Sequence, residues 1–329
     1  MMQETEPALP YEAARVVGRQ KSFSHEAFAY ATSGEFVAGT LPFLQEGLDA
    51  GDQMLAVLSP EKIDLLRAEL AGDAHRVRFA DMLTVGANPA RIIPVWKRFV
   101  DERVPGRGVR GIGEPIHAAR SSAELVECQQ HESLLNHAFD GTPAFRLLCP
   151  YDVGLGAEVL EEAARSHPFV YSVGQVMPSM GWQREGGPAR PYEVALPHPP
   201  ATFEQLAFAM GRLHDLRGFV TRHAHAAGFD AERTSDVVLA VNEVATNSLR
   251  YGGQRGTLTV WREGPTLICE VHDTGQIADP LAGRRLPSPT AVGGFGLWLV
   301  NHLCDLVQVR TGPGGSVVRL HIHPDRATR

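Results

Sequence analysis

Glu243, Asn247 and Tyr251 recur at intervals of four in Glu-Val-Ala-Thr-Asn-Ser-Leu-Arg-Tyr. At about 100° per residue, each step of four drifts by only about 40°, so a carboxylate, a carboxamide and a phenol share one helix face. Val237, Val238, Leu239, Val241, Val244 and Leu249 supply an apolar stripe around them, which Glu243 and Asn247 interrupt. A buried carboxylate without a partner is costly, so this face expects a polar ligand. An Asn oxygen together with phosphates suits Mg2+, a hard cation that takes oxygen ligands and keeps several waters. Glu243, one turn earlier, is placed to orient or deprotonate a nucleophile beside a phosphate.

Two further signals follow in order. Asp273-Thr-Gly275 ends an apolar run, where a carboxylate can accept a hydrogen bond from the amino group of a base while Gly275 lets backbone approach closely. Gly293-Gly294-Phe295-Gly296 directly precedes the helical run Leu297-Trp-Leu-Val-Asn-His-Leu303, the composition of a loop whose amides meet phosphate at a helix N-terminus. Asp-x-Gly alone is a common turn, and a lone glycine cluster is equally common. Their order downstream of the polar helix face makes the three together read as an ATP site.

The bulk of the chain limits what else it does. Its 329 residues carry a formal net charge of -7 and a pI near 6.1, with no Lys/Arg block longer than Arg284-Arg285, so neither nucleic acid nor an anionic membrane is an expected partner. No apolar stretch approaches the roughly 20 residues that span a bilayer. Cys128, Cys149, Cys269 and Cys304 are widely spaced with no Cys-x-x-Cys pair, and are expected as buried free thiols. The acidic Met-Met-Gln-Glu-Thr-Glu start has no secretory pattern, and a reducing cytoplasm is the expected location.

Between Val173 and Phe203 the hydrophobic periodicity lapses and prolines accumulate, from Pro178 to Pro200. The expected division is a domain over 20–175, a linker over 176–189 and a second domain over 190–323. Upstream, 53–59, 77–81, 109–114 and 144–150 read as strands, and 35–51, 60–71, 89–102 and 123–139 as helices. Strands alternating with helices predict an α/β domain with a mostly parallel sheet. Downstream, Tyr192–Leu196 is a candidate first strand, followed by helices near 202–227 and 232–250 and a hairpin of 256–262 with 266–273. A helix at 295–303 and strands at 305–310 and 316–321 complete an expected α+β sandwich of two layers.

The three polar segments resemble the N, G1 and G2 boxes of the Bergerat-type ATPase fold that gyrases and histidine kinases share. Within it, Val238-Leu-Ala-Val-Asn-Glu243-Val-Ala-Thr-Asn247-Ser and Gly315-Ser316-Val-Val-Arg-Leu are most similar to the anti-sigma factor serine/threonine kinases, and the resemblance covers roughly 190–322. It implies that Asn247 holds Mg2+, that Glu243 is the catalytic carboxylate and that Asp273 recognises adenine. Gly275, Gly293, Gly294, Gly296 and Leu297 then shape pocket and lid, Ser316 stands at the usual threonine position, and Tyr251 replaces a frequent histidine. Two departures stand out: Asp273-Thr-Gly-Gln-Ile lacks the second glycine of the family's G1 box, and no basic residue flanks the G2 glycines, a charge for which Arg284 and Arg285 are the candidates.

The segment from Phe23 to Tyr171 resembles MEDS, a sensory domain named from methanogens, methylotrophs and the dichloromethane regulator. The matching stretches are His25-Glu-Ala-Phe-Ala-Tyr-Ala-Thr-Ser-Gly-Glu35-Phe, Phe43-Leu-Gln-Glu-Gly-Leu-Asp-Ala-Gly51, Arg110-Gly-Ile-Gly-Glu114-Pro, Glu132-Ser-Leu-Leu-Asn136 and Cys149-Pro-Tyr-Asp152. Glu114, Glu132, Asn136 and Asp152 are candidates to converge on a pocket for an unidentified small-molecule signal. His25, His131 and His137 suit no common zinc spacing and are expected on helix surfaces. No Walker-type loop is present.

Together the resemblances imply a sensory regulator that phosphorylates an anti-sigma antagonist, sequesters a sigma factor, or does both, as a possible homodimer. The alternatives are an ATP-responsive protein-binding module without phosphotransfer, which leaves enzymatic turnover open, and a sensor histidine kinase. For the last, His214 is the nearest phosphoacceptor candidate, and it is expected as a surface or packing residue.

Overall fold

The computed structural model describes residues 22–172, 174–183, 190–287 and 294–325. In the N-terminal half the elements run β1 (Ser24–Tyr30), α1 (Ser33–Ala50), β2 (Gln53–Leu58), α2 (Pro60–Leu70), β3 (Val77–Asp81), α3 (Met82–Val85) and α4 (Ile92–Asp101). They continue with β4 (Val109–Gly113), α5 (Ser122–Ala138), β5 (Phe145–Asp152), α6 (Ala157–Ser166), β6 (Phe169–Ser172) and β7 (Gln175–Pro178). The sheet order is β3-β2-β4-β5-β1-β6-β7, parallel throughout except for β7, which pairs antiparallel with β6.

Side chains alternate across this sheet, as the pleat requires. Phe28, Tyr30, Leu58, Ile112 and Leu148 join Phe36, Phe43 and Leu66 in a core on the α1/α2 face, whereas Ala27, Val57, Leu147, Cys149 and Tyr151 join Trp96, Phe99 and Leu135 on the α4/α5 face. Helix starts are set locally. Thr32 Oγ1 accepts from the Glu35 amide, and Ser121 with Glu124 forms a capping box at α5.

Sequence patterning assigned no element to β1. The strand is hidden because Ser24, His25 and Glu26 are polar yet fully buried, each with a partner: Arg146 clasps Glu26 at 2.8 and 2.9 Å, and His25 meets α5. Burial of paired polar groups breaks the apolar signature that marks a central strand. The short β6 and β7 and the helix α6 also went unassigned.

The C-terminal half runs β8 (Glu204–Ala209), α7 (Leu213–Ala226), α8 (Ala231–Tyr251), β9 (Arg255–Glu263), β10 (Thr266–Asp273), α9 (Phe295–Leu303), β11 (Leu306–Gly312) and β12 (Gly315–Ile322). Five antiparallel strands in the order β11-β12-β10-β9-β8 form one layer, and α7, α8 and α9 pack Phe219, Val241, Val244 and Val300 onto it as the second. The two-layer α+β expectation is what the fold shows.

The helix expected over 202–227 is divided. Glu204–Ala209 is a strand and the helix starts at Leu213, after Gly211 turns the chain with φ +83°. Glu-Gln-Leu-Ala-Phe-Ala is a good helix sequence, but β9 offers an open edge: β8 pairs along it from Glu204 to Ala209, and Phe208 is buried. Pairing overrides propensity here. Tyr192–Leu196, expected as a first strand, begins in a turn instead, closed by the Glu193 amide on the Arg190 carbonyl at 2.9 Å.

Candidate functional site

Helix α8 is anchored by its N-cap Asp230, whose Oδ1 accepts from the Arg233 amide at 2.7 Å, and by a buried stripe from Val237 to Leu249. That register leaves Glu243 and Asn247 half-buried along one flank and Tyr251 exposed at the helix end. The flank forms one wall of a cavity of about 690 Å3, within the usual range of roughly 300–1,000 Å3 for small-molecule sites.

Every described site candidate lines this cavity. Glu243, Asn247 and Tyr251 come from α8, Asp273 and Gly275 from the end of β10, Gly294, Gly296 and Leu297 from the start of α9, and Ser316 from β12. Gly293 lies outside the described residues.

Asp273 is held at both oxygens: Ser248 Oγ donates to Oδ2 at 2.5 Å and the Gly275 amide to Oδ1 at 2.8 Å. Ser316 Oγ in turn donates to the Gly275 carbonyl at 2.9 Å and lies 3.0 Å from Thr311 Oγ1, so it fixes the turn that follows Asp273. The surrounding backbone comes close enough to exclude side chains. A Cβ on Gly252 would stand 2.4 Å from Asp273 Cγ, and one on Gly315, where φ is +114°, 2.0 Å from the Asp273 carbonyl oxygen. Ser248 and Gly252 were missed in the sequence. Their positions next to Asn247 and Tyr251 carried a signal only once the Asp273 carboxylate was known to sit against the end of α8.

A Cβ on Gly296 would lie 3.1 Å from Glu243 Oε2 and 3.2 Å from Asn247 Nδ2, so the first turn of α9 rests on the carboxylate and the carboxamide. Among the described residues neither side chain has a hydrogen-bond partner. Two oxygen-bearing groups converge, unsatisfied, where the N-terminus of α9 also opens onto the cavity, and this donor set fits a hard cation with phosphate oxygens. Of the two lid arginines, Arg285 lines the cavity, paired with Asp279 at 3.3 Å. Arg284 turns the other way and is buried against α5.

Residues 24–168 match the family model of MEDS, the MEthanogen/methylotroph, DcmR Sensory domain, and residues 206–322 match that of the histidine kinase-like ATPase domain. The chain is a MEDS sensory domain followed by a histidine kinase-like ATPase domain. No curated protein matches it. Among solved structures, the RsbU and RsbW domains of a Mycobacterium tuberculosis protein align with 38% of this chain and 33% of that chain, at 16% identity and a TM-score of 0.29. The match thus spans about a third of that protein's structure.

The MEDS and ATPase domains are joined by more than the linker. Glu127 on α5 accepts from Arg310 of β11 at 2.9 Å and from Arg284 of the lid at 3.3 Å, and Gln130 takes a second bond from Arg284 at 2.9 Å. On α9, the carbonyls of Asn301, His302 and Cys304 accept from Arg91 at 2.7, 3.1 and 2.9 Å, which caps the helix C-terminus from the other domain. Asn301 also donates to the Gly283 carbonyl of the lid at 3.0 Å. Leu281 lines the same cavity and is itself buried in the core cluster of the MEDS domain.

Within the MEDS domain the four polar candidates separate into two groups. At the end of β4, Glu114 accepts from Tyr30 at 2.5 Å and from Lys62 at 2.6 Å; burial raises its pKa, against the pull of Lys62. Asp152 caps the adjoining turn through the Gly154 amide at 2.8 Å. Glu132 and Asn136 lie instead on α5 against His25. The expected helix-surface histidines are corrected by their burial: His25 is a strand residue and His131 is sealed in the interior, so only His137 is exposed. No helix among the described residues is long and apolar enough to cross a membrane.

Proposed function

We propose that this chain is a regulator in which the MEDS domain controls an ATPase domain of the anti-sigma factor kinase type. The observation that carries the reading is Leu281: one residue of the lid forms part of the nucleotide cavity wall and part of the MEDS core. Any signal that repacks the MEDS interior acts on the cavity through it and through the Arg284 anchor.

In this reading the adenine amino group is recognised by Asp273, oriented by Ser248 and the Gly275 amide. Mg2+, held by Asn247 and the phosphates, supplies charge neutralisation at the transferring group. Glu243 accepts the proton of an incoming serine or threonine hydroxyl, and the amides at the start of α9 face the phosphates. The substrate is an anti-sigma antagonist protein, a sigma factor is a second partner held without transfer, and the MEDS domain takes a small molecule.

Calorimetry of Mg-ATP on the full chain tests the site. Binding by the wild type that is lost in Asn247→Ala, with phosphate appearing on a serine or threonine of a purified anti-sigma antagonist by mass spectrometry, is the expected result. No binding to the wild type would remove the reading.

A second reading has its own support. Ile277 stands where the family has a further glycine, and it and the preceding Gln276 are tied down, Gln276 Nε2 to the Gly312 carbonyl at 3.3 Å and the Ile277 amide to Thr311 Oγ1 at 3.1 Å. A turn held this firmly suits a module that closes on ATP and changes a partner-binding surface without transfer. Retention of the antagonist only with ATP, with no phosphate on it, is its signature. Histidine autophosphorylation is less well supported, because His214 is exposed in the first turn of α7 and does not line the cavity.

A further inference from the structure

Four residues far apart in sequence meet inside the MEDS domain: His25 on β1, Glu132 on α5, Cys149 on β5 and His167 just after α6. Their donor atoms all lie within 4.8 Å of one another, and each residue is at most 1% exposed. From these four donors we infer a binding site for one divalent transition metal of the zinc type.

Hydrogen bonding around the cluster fixes which atoms face inward. Asn136 Nδ2 donates to the Ser166 carbonyl at 2.7 Å, which turns its Oδ1 toward His25 Nδ1 at 3.2 Å. An oxygen there requires a proton on Nδ1, so the His25 lone pair is on Nε2. His167 Nδ1 likewise meets the Ala163 carbonyl at 2.8 Å, which leaves its lone pair on Nε2. Both Nε2 atoms point at the carboxylate: His25 Nε2 is 3.0 Å and His167 Nε2 3.4 Å from Glu132 Oε2, and Cys149 Sγ is 3.3 Å from His25 Nε2. Imidazole nitrogens held by an outer carbonyl or carboxamide are the usual arrangement of metal-ligating histidines.

Two imidazole lone pairs and a carboxylate converge in a sealed interior, where a cation among them relieves their mutual repulsion. The Glu132 Oε1 atom and His167 Nε2 are buried without a hydrogen-bond partner, as is the nearby Tyr151 hydroxyl. Charge balance favours a metal there: two neutral imidazoles, one carboxylate, one thiolate and a 2+ ion sum to zero, the state in which burial is least costly.

The spacing also fits. Bonds of about 2.0–2.3 Å in a tetrahedron put donors roughly 3.3–3.7 Å apart; the His25–Glu132, His25–Cys149 and His167–Glu132 contacts are 3.0, 3.3 and 3.4 Å, and all the donors lie within 4.8 Å of one another. Thiolate with imidazole favours zinc-like ions over calcium or magnesium, and four protein donors close the coordination shell, which makes the site structural or sensory. Binding exchanges one bond for another: the Cys149 S–H bond breaks, an S–metal bond forms, and the proton leaves to solvent.

The test is a cobalt titration of the full chain, stripped with chelator under reducing conditions and shown by circular dichroism to be folded. Saturation at one Co2+ per chain is expected, with thiolate-to-cobalt charge transfer in the near ultraviolet, strong visible bands of a tetrahedral ion, and displacement by one equivalent of Zn2+. Cys149→Ser should lose the charge-transfer band and weaken binding at least tenfold, and Zn2+ should raise the melting temperature of the wild type but not of Cys149→Ser or Glu132→Gln. No saturable binding to the folded wild type, or a spectrum that Cys149→Ser leaves unchanged, overturns the inference.

Discussion

In the ATPase domain the polar groups come from short boxes along one half of the chain and open onto a cavity, with glycines at every close approach. In the MEDS domain they come from positions 25, 132, 149 and 167 and are sealed from solvent. Among the described residues Glu243 and Asn247 have no hydrogen-bond partner, and both line a cavity open to solvent. Glu132 Oε1 and His167 Nε2 lack hydrogen-bond partners in a sealed interior. Polar groups without protein partners thus occur in both domains, and access to solvent distinguishes them.

The strongest way to break that contrast is to cut the link between the two regions. Glu127 is buried between Arg284 and Arg310, so Glu127→Ala leaves two guanidiniums without their carboxylate and is expected to cost about 3–5 kcal/mol. Urea melts should show the loss, with hydrogen exchange rising along 281–287 and α5 together. Exchange confined to one domain would mean that the junction does not couple them.

Asn247→Ala should weaken Mg-ATP binding about 100-fold, equivalent to about 2.7 kcal/mol, while the melting temperature stays within a few degrees. A large drop in stability with unchanged affinity would make this face structural, like the MEDS cluster. Ser248→Ala removes one donor from the Asp273 carboxylate, and about tenfold weaker ATP binding is expected, with GTP affinity changed less. Equal losses for both nucleotides would separate Asp273 from base recognition.

The smallest effect concerns pH. His321 is held down to about 4 by burial, with the Arg319 charge adding to it. The unfolded chain therefore takes up a proton near pH 6.5 that the folded chain refuses until near pH 4, so stability falls as pH drops through that window. His321→Gln, which keeps a group able to bond Gln308, should flatten the slope, by less than about 1 kcal/mol at pH 6. An unchanged melting-temperature profile between pH 4 and 6.5 would refute it.

How far each region could be read follows from the range of its contacts. The helix around Glu243 and Asn247, the hairpin into Asp273 and the helix after Gly296 are local patterns of period and turn chemistry, and they appear in the fold within a few residues of their expected limits. The division of 202–227 and the unassigned β1 were not legible, because pairing with β9 and the partners of His25 and Glu26 lie about 50 to 120 residues away. The lid was legible as glycines before a helix; that Arg284 turns away from the cavity while Arg285 faces it was not.

The sequence by itself determined the two fold classes and the polar and glycine positions of the three boxes that line the cavity, since periodicity, capping and glycine placement act over a few turns of chain. Only the tertiary structure decided that Leu281 belongs to both the cavity and the MEDS core, and that His25, Glu132, Cys149 and His167 share one interior point. The physical reason is that parallel sheets bring distant strands side by side, so donors that meet across β1, β5, α5 and the end of α6 leave no spacing to be read along the chain.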